Sequence, residues 1–307
     1  MSGRVTVAIC THNRATHLAR CLKGLTECSA RSARVPVVVV NNNSTDETDE
    51  VCREAGNDLS LTLLHESRTG LSHARNAALA ACETEYVVYL DDDGIPKPIW
   101  LSAIIAGVEK WNPDIFGGPY TPFYESPKPA WFDDAYGSAH LGDPEGLVAM
   151  PYCFSGGNMG WRTKLLREIG GFDPNLGMAG DSLRLGEETA IQVALWSRPE
   201  LRRVMLPEMH MKHLVSDEKM SLSYLWRRSF TYGRQLAVID PTNAVNVRAG
   251  VLKSATAMRF GMPLVWRFLV RDRAKYPCWR TFVGNYFSLH AIHCGATWAK
   301  LASRRRS

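Results

Sequence analysis

The chain has 307 residues, of which 45% are hydrophobic and 22% are charged, as in an ordinary globular protein. These values exclude a disordered or fibrous chain, and the length suits one large α/β domain with an appendage or two small domains. No uncharged apolar stretch is long enough for a confident membrane span. The nearest, Val283–Ala299, contains Asn285, His290 and His293, so we expect it to be buried or interfacial.

The net charge of +5 is unevenly distributed along the chain. Residues 221–307 contain 15 Lys or Arg and only two acids, Asp240 and Asp272, which gives this region a charge of +13. The first 220 residues therefore carry −8. A mildly acidic body with a strongly basic end predicts that this end contacts an anionic surface.

The 8 cysteines are scattered, with no CxxC pair and no His/Cys cluster at zinc spacing, so we expect reduced thiols rather than a disulfide framework. The N-terminus, Met1–Arg4, runs directly into a strand pattern without a signal peptide. Both observations predict a cytoplasmic protein.

Short apolar runs rich in β-branched residues alternate with helical patterns over the first 95 residues. The runs lack strict polar–apolar alternation, as do parallel strands that are buried on both faces. They predict strands at Val5–Cys10, Val35–Val40, Tyr86–Leu90 and, from a weaker pattern, Leu59–Glu66. Helices are predicted at Ala15–Leu25, after a capping box at Ser44–Glu47, and at Leu71–Cys82. This alternation predicts an α/β fold with a doubly wound, mostly parallel sheet.

The remainder of the chain has weaker patterns. Residues 113–160 are rich in Pro, Gly and aromatic residues and predict a long loop, which in a compact domain usually has a function. Glu187–Trp196 and residues 221–238 have helical patterns, and we expect two or three further helices before Lys300.

Polar clusters follow three of the predicted strands: Thr11–Arg14, Asn41–Asn43 and Asp91–Asp93. Ligands of doubly wound sheets bind beyond the carboxyl ends of the strands, so we expect the clusters to share one edge. The acidic triplet is the sharpest signal, because three carboxylates at a strand end are costly unless a cation lies among them. Mg²⁺ commonly bridges one or two carboxylates to phosphates. The alternative is a solvated acidic loop.

Two further signals concern catalysis and metal binding. Glu187 and Glu188 open a predicted helix, whose dipole stabilises an ionised carboxylate. Such a carboxylate can act as a general base, or the pair has only a dipole role. His213 is a candidate metal ligand with His210 as its competitor, and a packed core or surface histidine is the alternative for each.

Two motifs have two interpretations each. Arg227 and Arg228, beside Trp226 on the helix predicted at 221–238, suit either diphosphate oxygens or a solvated or membrane-facing surface. Gly156-Gly157-Asn158 either lets the backbone approach a ligand closely or forms a plain turn.

In this order the motifs resemble those of the family 2 glycosyltransferases of bacterial type, which have the GT-A fold. The resemblance extends from Val5 to about Ala237, over three quarters of the chain. The matching segments are Val7–Arg14, Asn42–Asp46, Gly70–Asn76, Asp91–Asp93, Gly156–Met159, Gly170–Asp173, Gly186–Glu188, and His213 ahead of Arg227-Arg228. Together they imply a Rossmann-like GT-A domain at 1–220. The basic helical region at 221–307 then has two interpretations, a membrane-associated region or a helical cap with a solvated tail.

The resemblance implies a role for each matching residue. The nucleotide donor would be bound by Thr11, Asn13, Arg14, Asn41, Asn43, Arg75, Asp91, Asp92, Arg227 and Arg228. Asp93 and His213 would bind Mn²⁺ or Mg²⁺, which bridges the diphosphate. Gly156, Gly157 and Asn158 would line the acceptor side. Glu188 stands at the position of the catalytic base, with Glu187 as its neighbour.

Two departures from the family pattern leave alternatives open. The family commonly has an aspartate where this chain has Asn41, and an amide brings a donor as well as an acceptor. Uridine, guanosine and thymidine donors therefore all stay candidates. The usual Glu-Asp pair is Glu187-Glu188 here, and the extra methylene leaves the base assignment open between the two residues.

The resemblance implies an inverting displacement in which Glu188 takes the proton of an acceptor hydroxyl. The acceptor would be a glycan or a lipid-linked molecule of polysaccharide biosynthesis in the cell envelope. Aromatic and cationic residues at the basic end indicate either the inner face of the cell membrane or a helical cap with a solvated tail. They include Trp226, Trp266, Trp279, Trp298 and Arg304–Arg306. The sequence contains no recognised nucleic-acid-binding module.

Two rival functions are considered. A nucleotidyltransferase also uses a nucleotide and a carboxylate-bound metal, but it typically needs a glycine-rich phosphate loop, which Thr11–Arg14 is not. A non-catalytic module that grips a sugar nucleotide or a glycan would tolerate the departures at Asn41 and Glu188. Metal-dependent transfer or donor hydrolysis would exclude the second rival.

Overall fold

The computed structural model describes residues 2–29, 35–178, 186–239, 269 and 279–304. The chain divides into two compact units. The first comprises Met1–Phe123, Gly137–Ser182 and Glu187–Leu214, and the second comprises Tyr124–Tyr136, Leu183–Gly186 and Val215–Ser307. The domain boundary that the sequence suggests at residue 220 stays a prediction.

The strands and helices of the first 95 residues lie where the sequence predicts them, with ends that differ by a few residues. The strands of the first unit are β1 (Val5–Thr11), β2 (Pro36–Asn41), β3 (Ser60–His65), β4 (Tyr86–Leu90), β5 (Gly94–Pro96), β6 (Ile115–Gly117), β7 (Tyr120–Phe123), β8 (Gly146–Leu147), β9 (Asn158–Arg162), β10 (Arg203–Met205) and β11 (Met211–Leu214). Its α-helices are α1 (Ala15–Ser29), α2 (Thr48–Ala55), α3 (Leu71–Ala81), α4 (Trp100–Trp111), α5 (Thr163–Glu168) and α6 (Glu187–Ala194).

Within the described residues, eight strands form one sheet in the order β3-β2-β1-β4-β9-β6-β10-β8. The pairs β2–β3, β1–β2, β1–β4 and β6–β10 are parallel, whereas β9 runs antiparallel between β4 and β6. The edge strand β8 is also antiparallel to its neighbour. The predicted α/β fold with a mostly parallel sheet is confirmed.

The sheet is covered on both faces, which explains why its strands are apolar throughout. Successive residues of a strand point to opposite faces. Tyr86, Val88 and Leu90 of β4 accordingly join one hydrophobic cluster, together with residues of α1 and α4. Val87 and Tyr89 join a second cluster, together with residues of α3 and α5. Side chains that must be apolar on both faces leave no period-two pattern in the sequence.

The predicted capping box is wrong in detail. Helix α2 begins at Thr48, and its first residue is held by Asp46, whose Oδ1 accepts the Thr48 hydroxyl at 2.6 Å. Ser44 instead accepts the backbone N–H of Asn13 at 2.9 Å. The serine that the pattern assigns to the helix start is thus used to join two loops.

The prediction of one long loop over residues 113–160 is also wrong. This segment contributes β6, β7, β8 and the start of β9. These strands are 2 to 5 residues long, too short to leave a periodic signal.

A second, three-stranded sheet brings a distant segment to the end of β4. Strand β11 lies in its middle, antiparallel to β5 and parallel to β7. Strand β5 starts at Gly94, immediately after the acidic triplet, and Gly94 is in register with His213 of β11. The Leu214 N–H donates to the Asp93 carbonyl at 3.0 Å, which fixes β11 beside the triplet.

The second unit contains α7 (Leu222–Ile239) and α8 (Trp279–Arg304), which confirms the helix predicted at 221–238 and places Val283–Ala299 in a helix. The two helices pack closely, because a Cβ on Gly233 or Gly295 would collide with the backbone of the other helix. None of the helices in the described part of the chain is both long and apolar enough to span a membrane. Residues 240–268 and 270–278, with Trp266, and residues 305–307 lie outside the described residues.

Candidate active site

The carboxyl ends of β1, β2 and β4 meet at one edge of the sheet, as expected for parallel neighbours. The Thr11 hydroxyl donates to Asp92 Oδ2 at 2.8 Å, and the Asn42 N–H donates to the Thr11 carbonyl at 2.9 Å. All three polar clusters of the sequence therefore lie together at this edge.

Asp91, Asp93 and His213 form a cluster whose ligand atoms all lie within 4.8 Å of one another. His213 Nε2 is 3.3 Å from Asp93 Oδ1. Ligands about 2.1 Å from an octahedral ion are roughly 3 to 4 Å apart, so these spacings are compatible with one small cation. Carboxylates suit Mn²⁺ and Mg²⁺, and imidazole favours the transition metal of the two.

Asp92 and Arg14 lie beside this cluster. Arg14 Nη1 is 3.1 Å from Asp92 Oδ1 and 3.3 Å from Asp93 Oδ2. Asp92 is buried, and burial raises the pKa of its carboxyl to about 6 despite the charge of Arg14. Arg14 is 44% exposed, so its guanidinium contacts the acidic triplet and is also open to an anionic ligand.

Asn13 and Asn43 connect the loops at this edge. Both have left-handed backbones, with φ of 51° and 64°, a conformation that asparagine tolerates better than most residues. Asn13 Oδ1 accepts the Thr45 N–H at 2.7 Å, and Asn43 Nδ2 donates to the Ser67 carbonyl at 2.7 Å. Their side chains thus have structural partners, and their contacts with a donor stay a prediction.

Asn41 is buried, and its amide is also engaged within the protein. Its Oδ1 accepts the Ser44 N–H at 2.8 Å, and its Nδ2 donates to Asp49 Oδ1 at 2.7 Å. The other carboxylate oxygen of Asp49 is 2.9 Å from His65 Nε2. An aspartate in place of Asn41 would put two carboxylates in contact, which explains why an amide fits this position.

Arg75 and Glu187 form a buried ion pair that joins α3 to α6. Arg75 Nη1 donates to Glu187 Oε1 at 2.7 Å, and Nη2 lies 3.5 Å from Asp91 Oδ1. The Arg75 side chain is only 3% exposed. Through Asp91, this pair connects the first residues of α6 to the candidate metal cluster.

Glu188 as a residue is partly exposed, but its carboxyl group is surrounded by protein atoms. Burial and the negative charge of Glu187 raise its pKa to about 8, and the charge of Arg75 offsets part of that increase. A carboxylate with a pKa near neutral can accept a proton from a substrate and release it again.

Gly156 and Gly157 lie between the acidic cluster and Glu188. A Cβ on Gly156 would lie 2.9 Å from the Arg75 guanidinium and 3.3 Å from the Glu188 carboxyl carbon. A Cβ on Gly157 would collide with the Asp91 carboxylate. The close approach that the glycines allow is therefore to these charged side chains. Their place on the acceptor side stays a prediction.

Comparison with known families settles the class of the protein. The model described as glycosyl transferase family 2 matches residues 6–170, more than half of the chain. The chain belongs to glycosyl transferase family 2. It is therefore a glycosyltransferase, and the nucleotidyltransferase alternative is set aside.

Two curated proteins that are similar to this family 2 enzyme are themselves named as glycosyltransferases. It is 25% identical over 212 residues to the glucosyl-dolichyl phosphate glucuronosyltransferase of Haloferax volcanii, which covers 66% of each chain. It is 29% identical over 178 residues to the pre-mycofactocin glycosyltransferase of Mycobacterium tuberculosis, covering 56% of this chain and 36% of that one. The matched region thus spans about two thirds of the first relative and about a third of the second.

Solved structures show that the fold is GT-A. S. aureus TarS 1-349, in complex with UDP-GlcNAc, has a TM-score of 0.56 at 17% identity, covering 98% of this chain and 92% of that one. The mannosyltransferase PcManGT of Pyrobaculum calidifontis, in complex with GDP-Man and Mn²⁺, has a TM-score of 0.54 at 20% identity. That match covers 99% of this chain and 75% of the other.

In this glycosyltransferase, Asn158 is fully buried and its side-chain amide hydrogen-bonds to three other segments of the protein. Its Nδ2 donates to the Pro119 and Met209 carbonyls at 3.1 and 2.7 Å, and its Oδ1 accepts the Trp100 indole N–H at 2.9 Å. Both amide N–H groups are thus used inside the protein, and an acceptor contact of this residue stays a prediction.

The structure separates the two candidate histidines. His210 Nδ1 lies 3.0 Å from Lys97 Nζ, and its Nε2 lies 3.1 Å from the Thr121 hydroxyl. Burial and the charge of Lys97 lower the pKa of His210. His213 is the histidine that lies in the acidic cluster.

Arg227 and Arg228 belong to the second unit of the glycosyltransferase, on α7. Arg227 pairs with Glu218 at 2.9 Å, and Arg228 donates to the Tyr136 carbonyl at 3.2 Å. A role for either arginine in donor binding stays a prediction.

Sequence reasoning missed Gln192, which supports the residues around Glu188. Its Nε2 donates to the Phe154 carbonyl at 3.0 Å and to the Glu188 carbonyl at 3.2 Å, and its Oε1 accepts the Phe154 N–H at 2.7 Å. The signal was a polar residue four positions after Glu188, on the same face of the predicted helix.

Proposed function

We propose that this family 2 glycosyltransferase transfers a sugar from a nucleoside-diphosphate donor to an acceptor hydroxyl, with inversion at the anomeric carbon and with a divalent cation as cofactor. One observation carries the proposal. A cluster of two carboxylates and an imidazole lies on one side of Gly156-Gly157, and a carboxyl with a raised pKa lies on the other. The arrangement suits a leaving group and an attacking hydroxyl that flank one sugar.

Asp93 and His213, with Asp91 beside them, are the residues that would hold Mn²⁺ or Mg²⁺. The donor set and its spacing fit a small cation, and the structurally similar mannosyltransferase PcManGT is a complex with GDP-Man and Mn²⁺. When bound, such a cation would offset the negative charge that develops on a departing diphosphate. Arg14, partly exposed beside Asp93, would add a fork suited to phosphate oxygens.

Glu188 would act as the general base. It takes the proton of the acceptor hydroxyl as that oxygen bonds to the anomeric carbon. The bond from this carbon to the donor's diphosphate oxygen breaks at the same time, and the nucleoside diphosphate leaves with the bonding electrons. Because attack and departure occur on opposite faces, the configuration inverts without a covalent sugar–enzyme intermediate.

The acceptor is proposed to be a glycan or a lipid-linked molecule. The name of the Haloferax relative describes transfer to a sugar on dolichyl phosphate, which is a lipid. In the second unit of this protein, Trp226, Trp279 and Trp298 are between 42% and 58% exposed, on helices that belong to the basic end of the chain. Aromatic and cationic side chains together suit the inner face of an anionic membrane.

The membrane part of the proposal has its own test. The purified protein should sediment with anionic liposomes at low salt and be released at high salt, because charge attraction is screened. Neutral liposomes serve as the matched control. Failure to sediment at low salt would end the membrane proposal and leave the transfer reaction untouched.

The central test is a thermal-shift panel of sugar nucleotides, including UDP-GlcNAc and GDP-Man, with and without Mn²⁺, followed by turnover of the donor that stabilises most. Glu188→Gln should lose turnover by ~10²–10⁴ while still binding nucleotide, since only the base is removed. Asp93→Asn should lose the Mn²⁺-dependent part of the shift, and Asp58→Asn, on the surface, should not. Full turnover by Glu188→Gln would contradict the proposal.

A further inference from the structure

Arg75 is a buried cation that faces three carboxylates. Its side chain is 3% exposed, its guanidinium nitrogens lie 2.7 Å from Glu187 and 3.5 Å from Asp91, and its charge also acts on Glu188. A guanidinium removed from water is stable only when charged or polar groups replace its hydration. Its burial and its partners indicate that it serves the protein's own carboxylates.

The surroundings of Arg75 fix its direction. Its guanidinium carbon lies 5.7 Å from the ring centre of Tyr89 and 5.4 Å from that of Phe172, both distances at which a cation is attracted to an aromatic face. The Tyr89 hydroxyl donates to the Arg75 carbonyl at 3.0 Å. Asn76 holds the Phe172 backbone through two hydrogen bonds of 2.7 and 2.8 Å.

Glu187 is enclosed by the same structure more completely than Glu188. Glu187 is 5% exposed, and a Cβ on Gly177 would lie 3.1 Å from its carboxyl carbon. Gly177 has a φ of 84°, so glycine suits this turn for conformational reasons as well. Glu188 is partly exposed and faces the glycine at 156.

We propose that Arg75 is a positioning residue: by holding Glu187 against α3, it directs Glu188 toward the acceptor hydroxyl. Successive residues of an α-helix point about 100° apart, so fixing Glu187 also sets the direction of Glu188. The ion pair thereby selects the base between two adjacent glutamates. This inference rests on the proposed function, because it requires a base at Glu188.

The charges around Glu188 make the inference testable. Glu187 lies on its own helix, Arg75 on α3, Asp91 after β4, and Cys153 before β9. Glu187 and Asp91 raise the pKa of Glu188, and Arg75 lowers it. Burial raises the pKa of the Cys153 thiol to about 11, so this group is uncharged near neutral pH. Removal of Arg75 and removal of Glu187 should thus move the pKa of the base in opposite directions.

The experiment compares Arg75→Met, Arg75→Lys and Glu187→Gln with the wild-type protein. Turnover is measured against pH with the sugar nucleotide that stabilises the wild type most, and UDP and GDP with Mn²⁺ are the binding probes. We expect kcat to fall about tenfold or more in all three, since a misdirected base is a poor catalyst. The midpoint of the acidic limb of the pH profile should move to higher pH by about one unit in Arg75→Met. In Glu187→Gln it should move to lower pH by about one unit. Arg75→Lys keeps the charge and should leave the limb near its wild-type position.

Nucleotide affinity separates positioning from donor binding. The dissociation constant of each variant for the nucleoside diphosphate with Mn²⁺ should stay within about threefold of the wild-type value. A change of this size is smaller than the loss of a direct contact would cause. Acidic limbs that stay at the wild-type pH in Arg75→Met and Glu187→Gln would overturn the inference, and so would a loss of nucleotide binding in Arg75→Met with the limb in place. If Arg75→Met does not fold, Arg75→Lys and Glu187→Gln decide the outcome. An active Glu188→Gln would refute the proposed function itself, whereas an inactive Glu188→Gln with unmoved limbs would refute this inference alone.

Discussion

Replacement of Glu188 by glutamine should make the protein more stable while it removes catalysis. Glu188 has an ordinary pKa of 4.5 when unfolded and a pKa raised to about 8 by burial and the charge of Glu187 when folded. Between these values the unfolded chain releases a proton that the folded protein keeps, so stability falls as pH rises. Below the unfolded pKa both states are protonated, and the cost vanishes.

The size of this effect follows from the two pKa values. The cost of the carboxyl is about 1 kcal/mol at pH 5 and roughly 3 kcal/mol at pH 7. Glutamine has nearly the same shape and never ionises. Glu188→Gln should therefore gain stability over wild type by an amount that grows with pH.

Urea unfolding at several pH values between about 5 and 8 measures the free energy of unfolding of both proteins. Glu54→Gln is the matched control, because Glu54 is exposed on α2 and should give no pH-dependent difference. A gain that does not vary with pH, or a variant less stable than wild type at pH 8, would refute the reasoning. A stability gain combined with lost turnover would identify a residue retained for function at the expense of stability.

Three other changes test the framework of the site. Asn158→Ala should cost about 3 to 5 kcal/mol in the free energy of unfolding, because three buried groups lose their partner, and a loss under about 1 kcal/mol by urea unfolding would contradict this role. Gly157→Ala should weaken Mn²⁺ binding in calorimetry about tenfold or more by displacing Asp91, whereas Gly3→Ala, which has open space, should not. Asn41→Asp should lower the melting temperature through repulsion from Asp49, and adding Asp49→Asn should restore it; an unchanged melting temperature in Asn41→Asp would count against the contact.

The sheet and the acidic edge of the site can be predicted from the sequence because both leave local patterns in it. Apolar runs such as β4 can be read directly, and Asp91–Asp93 follow β4 without a gap. Once the strands are known to be parallel, their carboxyl ends must meet. The sequence alone therefore predicts that the three polar clusters lie together.

The choice between His210 and His213 required three-dimensional structure. The two residues are close in the chain, and both precede or lie in a strand too short to show a period. The register of β11 against β5 puts His213 opposite Gly94, next to Asp93, and leaves His210 with Lys97. Strand register between distant segments has no signature in a single sequence.

The partners of single side chains were equally hidden. Arg75 and Glu187 lie on different helices and are far apart in sequence. Asn13 and Asn43 are typical of ligand-binding loops, but asparagine is also favoured in left-handed turns, which is how both are used here. The residue type alone does not distinguish these uses.

The location of the cation tests the account most directly. Crystals grown with Mn²⁺ and UDP or GDP should show an anomalous manganese peak within about 2.0–2.4 Å of ligand atoms of Asp93 and His213, with the diphosphate on the same ion. Glu188 should lie on the far side of the sugar-binding space from that ion. A nucleotide bound at this edge with manganese elsewhere, or with Asp93 and His213 uninvolved, would contradict the account.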